Sequence, residues 1–148
     1  METIKKNGMK QCGLIVVCIL LLCGCKPQFE KIDYGKESCS HCKMTIVDKR
    51  FAAEMITSKG RAHKFDDVLC MKQYADYYTE QSKDAMYFVA VCNSNNEEFT
   101  DATKALYLQH QAFKSPMNGN YGAFSSTESA AATVKELNTQ PVSWSDIK

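Results

Sequence analysis

The sequence predicts an α+β fold of two related halves with small antiparallel sheets, and three observations lead there. Short β-prone runs separated by turn residues recur beyond residue 39. Two stretches carry helical periodicity, each directly behind residues suited to cap a helix. A strand-ending phenylalanine, a cap and a helix occur together twice, at Lys64-Phe65-Asp66-Asp67 and at Ala123-Phe124-Ser125-Ser126, an offset of 59 residues (65 to 124). The repeat suggests two ββα-type halves, about 39–92 and 93–148, each too small to bury much surface alone and therefore packed together.

Residues 26–38 are polar, contain Pro27 and Gly35 and have no sustained periodicity, which reads as a tether over 25–38. Met44–Val47 and Phe51–Thr57 are strand candidates, and Ser58-Lys59-Gly60 turns the chain into a third at Ala62–Phe65. Asp66 or Asp67 caps a helix over Val68–Tyr78, where Val68, Met71, Ala75 and Tyr78 recur at three- and four-residue spacing. Ala85–Val91 follows as a buried strand. In the second half, Thr103–Gln109 and Tyr121–Phe124 are strand candidates. Ser125-Ser126-Thr127-Glu128 reads as a capping box for a helix to about Leu137, and Trp144 and Ile147 close the half as a last strand.

The N-terminus carries Lys5, Lys6 and Lys10, then an apolar run over 13–22 that is short for a membrane span, then Gly24-Cys25. These are the three regions of a secretory signal, with cleavage after residue 24 and Cys25 as the lipidated first residue of the mature chain. Lipid chains on Cys25 give stable anchoring to a bacterial membrane on its extracytoplasmic side. Processing removes three of the 18 basic and one of the 17 acidic side chains, leaving a nearly neutral chain. Nothing resembles the basic patch that phosphate binding requires, so a nucleic-acid partner is not expected.

Cys39-Ser40-His41-Cys42-Lys43-Met44 crowds two thiols, an imidazole and a thioether into six residues. Polarizable sulfur suits Cu(I). Cys-x-x-Cys alone is shared by zinc sites, copper sites, disulfides and redox pairs, whereas Met44 favours copper over zinc. Met117, in the Pro- and Gly-bearing loop 115–121, is either a second exposed thioether ligand or a plug for an apolar gap. His41 either joins the site or faces water, and His63 and His110 read as structural. Cys70 and Cys92 read as buried small hydrophobes or as a mutual disulfide, because disulfides persist outside the cytoplasm. The rival to a metal site is a thiol–disulfide oxidoreductase using Cys39 and Cys42, although the motif does not open a helix as the low-pKa thiols of thioredoxin-like proteins do.

Cys39-x-x-Cys42-x-Met44, Phe65-Asp66-Asp67, Ser115-Pro116-Met117 and Gly122-Ala123-Phe124, all behind a lipidation motif, resemble the NosL family of nitrous oxide reductase accessory lipoproteins over about residues 39–137. The resemblance implies two related ββαβ-type halves, in agreement with the repeat. It also implies a non-enzymatic Cu(I) chaperone that supplies copper for the copper–sulfide centre of nitrous oxide reductase, beside a membrane ABC-type transporter. Carried over by position, Cys39, Cys42, Met44 and Met117 are the expected copper ligands. Asn118 departs from the glycine that usually follows this methionine, and asparagine tolerates left-handed backbone better than most residues. A general copper-handling role is the alternative within the same chemistry.

Overall fold

The computed structural model describes residues 28–148, so the expected signal segment and Cys25 lie outside the described residues. Strands β1 (Ala53–Ile56) and β2 (Ala62–Phe65) form a hairpin, and helices α1 (Val68–Tyr77) and α2 (Thr79–Ser82) lead to β3 (Met86–Ala90) and β4 (Phe99–Asp101). The second half runs β5 (Leu106–Gln109), β6 (Tyr121–Phe124), α3 (Thr127–Leu137) and β7 (Pro141–Val142). All pairings are antiparallel. The sheets have the orders β2-β1-β3-β4 and β6-β5-β7.

The two halves share one plan. The first strand of each is central, its hairpin partner lies on one side, and the strand after the helix lies on the other. Phe65 and Phe124 end the corresponding strands β2 and β6 and are both fully buried, while Asp67 and Ser126 cap the helices that follow. The ββαβ repeat implied by the resemblance is therefore present, with β4 as an added edge on the first sheet beyond the 92/93 boundary.

Several elements differ from the sequence reading. Met44–Val47 forms no strand and contributes only an isolated bridge between Thr45 and Ser38. The left-handed turn at Lys43 (φ 67°) precedes it, and its backbone bonds go to the preceding loop, from Gly35 N–H to the Ile46 carbonyl (2.8 Å) and from Ile46 N–H to that of Glu37 (2.9 Å). From Phe29 onward the expected tether is packed: Phe29 stacks on Phe99 (centroids 4.4 Å apart) and Ile32 is buried. The α3 capping box joins Ser126 to Ser129, one residue later than expected. Trp144 lies in a 3₁₀ turn, and the last strand is Pro141–Val142. Proline suits that edge position because it has no N–H to offer a further strand.

The main core joins both halves, gathering Ile32, Ile46, Met55, Phe65 and Met71 with Tyr107, Tyr121, Ala123 and Ile147. A smaller core of Leu108, Phe124 and Ala130 lies beneath α3. Alternation along β6 accounts for the division, since Tyr121 and Ala123 face one core and Phe124 the other. Among the described residues, no helix is long and apolar enough to cross a membrane.

Candidate metal centre

Cys39–Lys43 is a tight turn. Cys39 N–H donates to the Met44 carbonyl (2.7 Å), Lys43 N–H donates to the Cys39 carbonyl (3.1 Å), and Ser40 N–H ties the turn to β2 through the Lys64 carbonyl (2.8 Å). The turn thus docks beside the end of β2, where Asp66 and Asp67 lead into α1. Asp67 is the N-cap, its Oδ1 accepting from Leu69 N–H at 2.8 Å. Cys70 follows on the first turn of α1.

Three chain segments converge here. The sulfurs of Cys39, Cys42 and Cys70 and a carboxylate oxygen of Asp66 all lie within 4.8 Å of one another. Cys39, Cys70 and Asp66 are buried, while Cys42 is half-buried. The Cys42 thiol donates to Asp66 Oδ2 (3.4 Å), and Asp66 Oδ1 is buried without a hydrogen-bond partner among the described residues.

The thiols are electrically unequal. The hydrogen bond from Cys70, helped by backbone donors at Asp66 and Cys42, lowers the Cys39 thiol to about 7 against the effect of burial. Burial pushes Cys42 up to about 11, with the charges of Cys39 and Asp66 adding to the rise. Cys70 is raised because it donates to Cys39. Of the three thiols, Cys39 gives up its proton most readily. A soft cation would take up this sulfur set by displacing the remaining protons.

The NosL family model matches residues 32–148. This chain belongs to the NosL family. The crystal structure of the copper chaperone NosL from Shewanella denitrificans matches with a TM-score of 0.67 at 19% identity, covering 84% of this chain and 98% of that one, which establishes the shared fold. A search of curated proteins finds no match.

Against the residues expected from NosL resemblance, Cys39 and Cys42 lie in the cluster. Met44 is 51% exposed at the rim of the turn that carries them. Met117 is half-buried and packs on the main core, its backbone N–H donating to Asp67 Oδ2 at 3.2 Å, so the second half reaches the residue next to Asp66. Asn118 has the left-handed conformation (φ 56°) that an asparagine can adopt in place of the family glycine. Gly119 lets this loop approach α1 closely, because a Cβ there would lie 2.9 Å from Leu69 Cδ2 and 3.2 Å from Leu69 Cβ.

Sequence reasoning missed Cys70 and Asp66. The Cys70–Cys92 disulfide alternative is corrected: the four cysteines among the described residues are free, and Cys92 packs on the small core, near enough to Gly122 that a Cβ there would be 3.0 Å from its sulfur. The missed signal was Asp66-Asp67-x-x-Cys70, which places a thiol on the first turn behind the cap. His63 is buried beside Tyr74, its Nδ1 3.2 Å from the hydroxyl, and His110 Nδ1 accepts from Ala112 N–H (3.2 Å). Neither belongs to the cluster.

Proposed function

We propose that this protein is a membrane-anchored Cu(I) chaperone that supplies copper for assembly of the copper–sulfide centre of nitrous oxide reductase. The observation that carries the reading is the convergence of three cysteine sulfurs, two buried and one half-buried, a donor set matched to Cu(I). Membership of the NosL family supports it, and the structural relative is itself a copper chaperone. In this reading Cys39 and Cys42 bind the ion, Met44 and Met117 add thioether donors, and Cys25 carries the lipid that holds the domain at the extracytoplasmic face of a bacterial membrane.

A chaperone must release its cargo. The half-buried Cys42 and exposed Met44 give an acceptor an open edge from which its own sulfur or imidazole can enter before the donor ligand leaves. The acceptor is the reductase or its membrane ABC-type delivery machinery. No residue need perform covalent catalysis.

The test is anaerobic competition against a Cu(I) chelator with Zn(II) present, followed by copper transfer to metal-free reductase. Retention of Cu(I) over Zn(II) and reconstitution of the reductase are expected. Equal retention of zinc would refute copper selectivity, and catalytic reduction of a disulfide substrate without copper retention would favour a redox lipoprotein using Cys39 and Cys42. Mass spectrometry of membrane-extracted protein should find an acylated Cys25 N-terminus.

A further inference from the structure

We propose that Cys70 is a third thiolate ligand, so that Cu(I) rests on Cys39, Cys70 and Cys42, with the first two as buried anchors and the last as the release edge. The proposal rests on the copper reading above and adds a ligand on helix α1, leaving room for one thioether, Met44 or Met117, as a fourth donor.

The repeat provides an internal comparison. In α3 the third helical residue is Ser129, whose hydroxyl completes a reciprocal capping box with Ser126. The same position in α1 is Cys70, at the repeat offset of 59 residues (70 to 129). Here the cap works differently, because Asp67 accepts from Leu69 with Oδ1 and from Met117 with Oδ2. The Cys70 side chain is left out of the cap and turned into the cluster.

Its surroundings are those of a ligand. A core cysteine packs as a small hydrophobe, whereas Cys70 lies within 4.8 Å of two other sulfurs and a carboxylate oxygen. Asp66 is 2% exposed and has an unpartnered oxygen among the described residues, so the cluster keeps an unsatisfied polar atom beside its sulfurs rather than the fully paired groups of an ordinary core. As a hard donor Asp66 is a poor Cu(I) ligand; it accepts from the Cys42 thiol in the metal-free site, a bond given up when Cys42 becomes a thiolate. Three thiolates on Cu(I) carry a net charge of −2. The N-terminal end of α1 and the backbone donors around Cys39 favour that charge at this position.

Rigidity separates the ligands into two kinds. Cys70 is fixed by the helix and Cys39 by the turn's bonds to Met44 and to β2, and both are fully buried. Cys42 alone of the three reaches solvent, two residues before the exposed Met44. Copper leaving through Cys42 would pass to an acceptor while Cys39 and Cys70 still hold it.

The test is Cu(I) binding by the full mature protein in detergent, under anaerobic reducing conditions, for the wild type, Cys70→Ser and Cys70→Ala. X-ray absorption should count one sulfur neighbour fewer in both variants, and Cu(I) affinity should fall by more than the roughly 10–100-fold that loss of an outer partner of a metal ligand costs. Thermal melts of the metal-free proteins establish that each variant folds. In the wild type itself, the ¹³Cβ resonance of Cys70 should shift on adding Cu(I), a readout that needs no variant. Unchanged affinity and sulfur count, or an unmoved Cys70 resonance in copper-loaded wild type, would overturn the Cys70 assignment and leave the copper reading standing. A wild type that takes up no Cu(I) would sink both.

Discussion

Met117 N–H donates to Asp67 Oδ2 at 3.2 Å across fifty positions of sequence, while Oδ1 of the same carboxylate caps α1 through Leu69 at 2.8 Å. One buried carboxylate therefore sets both the helix that carries Cys70 and the loop that carries Met117. Asp67→Ala should remove both bonds and destabilise the protein by about 1.5–5 kcal/mol, the sum expected for a lost cap and an orphaned buried donor. Asp67→Asn retains an acceptor for Leu69 but not one for Met117, so its loss should be smaller. Urea unfolding of the metal-free proteins gives the order, and equal losses in the two variants would disprove the division of labour.

Met117→Ala should weaken Cu(I) binding and leave the fold intact, because this side chain is half-buried at the edge of the core. As a core plug it would instead cost ~2–5 kcal/mol, the range for a buried methionine. Chelator competition and thermal melts on the same samples separate the outcomes. A destabilised metal-free variant whose folded fraction binds Cu(I) with unchanged affinity would reject the ligand role.

The helices and the hairpin strands were legible because their signals are local: strand-ending Phe65 and Phe124, each followed by capping residues, Asp66-Asp67 and Ser125-Ser126. Cys39 and Cys42 were legible because three positions separate them. The grouping of Cys70 and Asp66 with them was not, since it depends on how the turn at 39–43 docks on the end of β2, a contact between separate segments. β4 was hidden for a related reason: Phe99-Thr100-Asp101 is too short to stand out beside the polar run before it, and it is held by pairing with β3. Met44–Val47 has strand composition, but its backbone bonds are taken by residues 35–39, so its β-propensity never forms a ladder.

Lys43 holds a left-handed conformation, φ 67°, in the middle of the thiol turn. That geometry costs a residue with a Cβ roughly 1–2 kcal/mol, and glycine adopts it freely. The compensating bond from Lys43 Nζ to the Ser40 carbonyl (2.7 Å) is exposed and contributes little. After allowance for the greater freedom of glycine in the unfolded chain, Lys43→Gly should stabilise the protein by about 0.5–1 kcal/mol. Lys43→Ala should give no such gain. A shift in urea midpoint at constant slope checks this, and stabilisation by alanine as large as by glycine would show that strain is not the cause.

Glu54 gives the fold an unusual pH dependence. It is fully buried on the central strand β1, with Oε1 accepting from Glu30 N–H (2.8 Å) and Oε2 lacking a partner among the described residues. Burial pushes its carboxyl up to about 7, with the Glu30 and Glu37 charges adding to the rise and Lys64 and the Glu30 backbone opposing it. The folded protein thus keeps a proton that the unfolded chain releases near the ordinary glutamate value. The resulting stabilisation is fully present below that value, declines as pH rises through about 7, and is absent above it. At 1.36 kcal/mol for each unit of pKa change, the decline amounts to roughly 3 kcal/mol. His63 acts in the opposite sense, since burial lowers its pKa and favours folding as pH rises, so the measurement must be a difference. Wild-type stability minus that of Glu54→Gln, measured by urea unfolding of metal-free protein between pH 4.5 and 8, should fall up to about pH 7 and level off above it. A difference that stays flat or rises across this window would show that Glu54 is not buried in its protonated form.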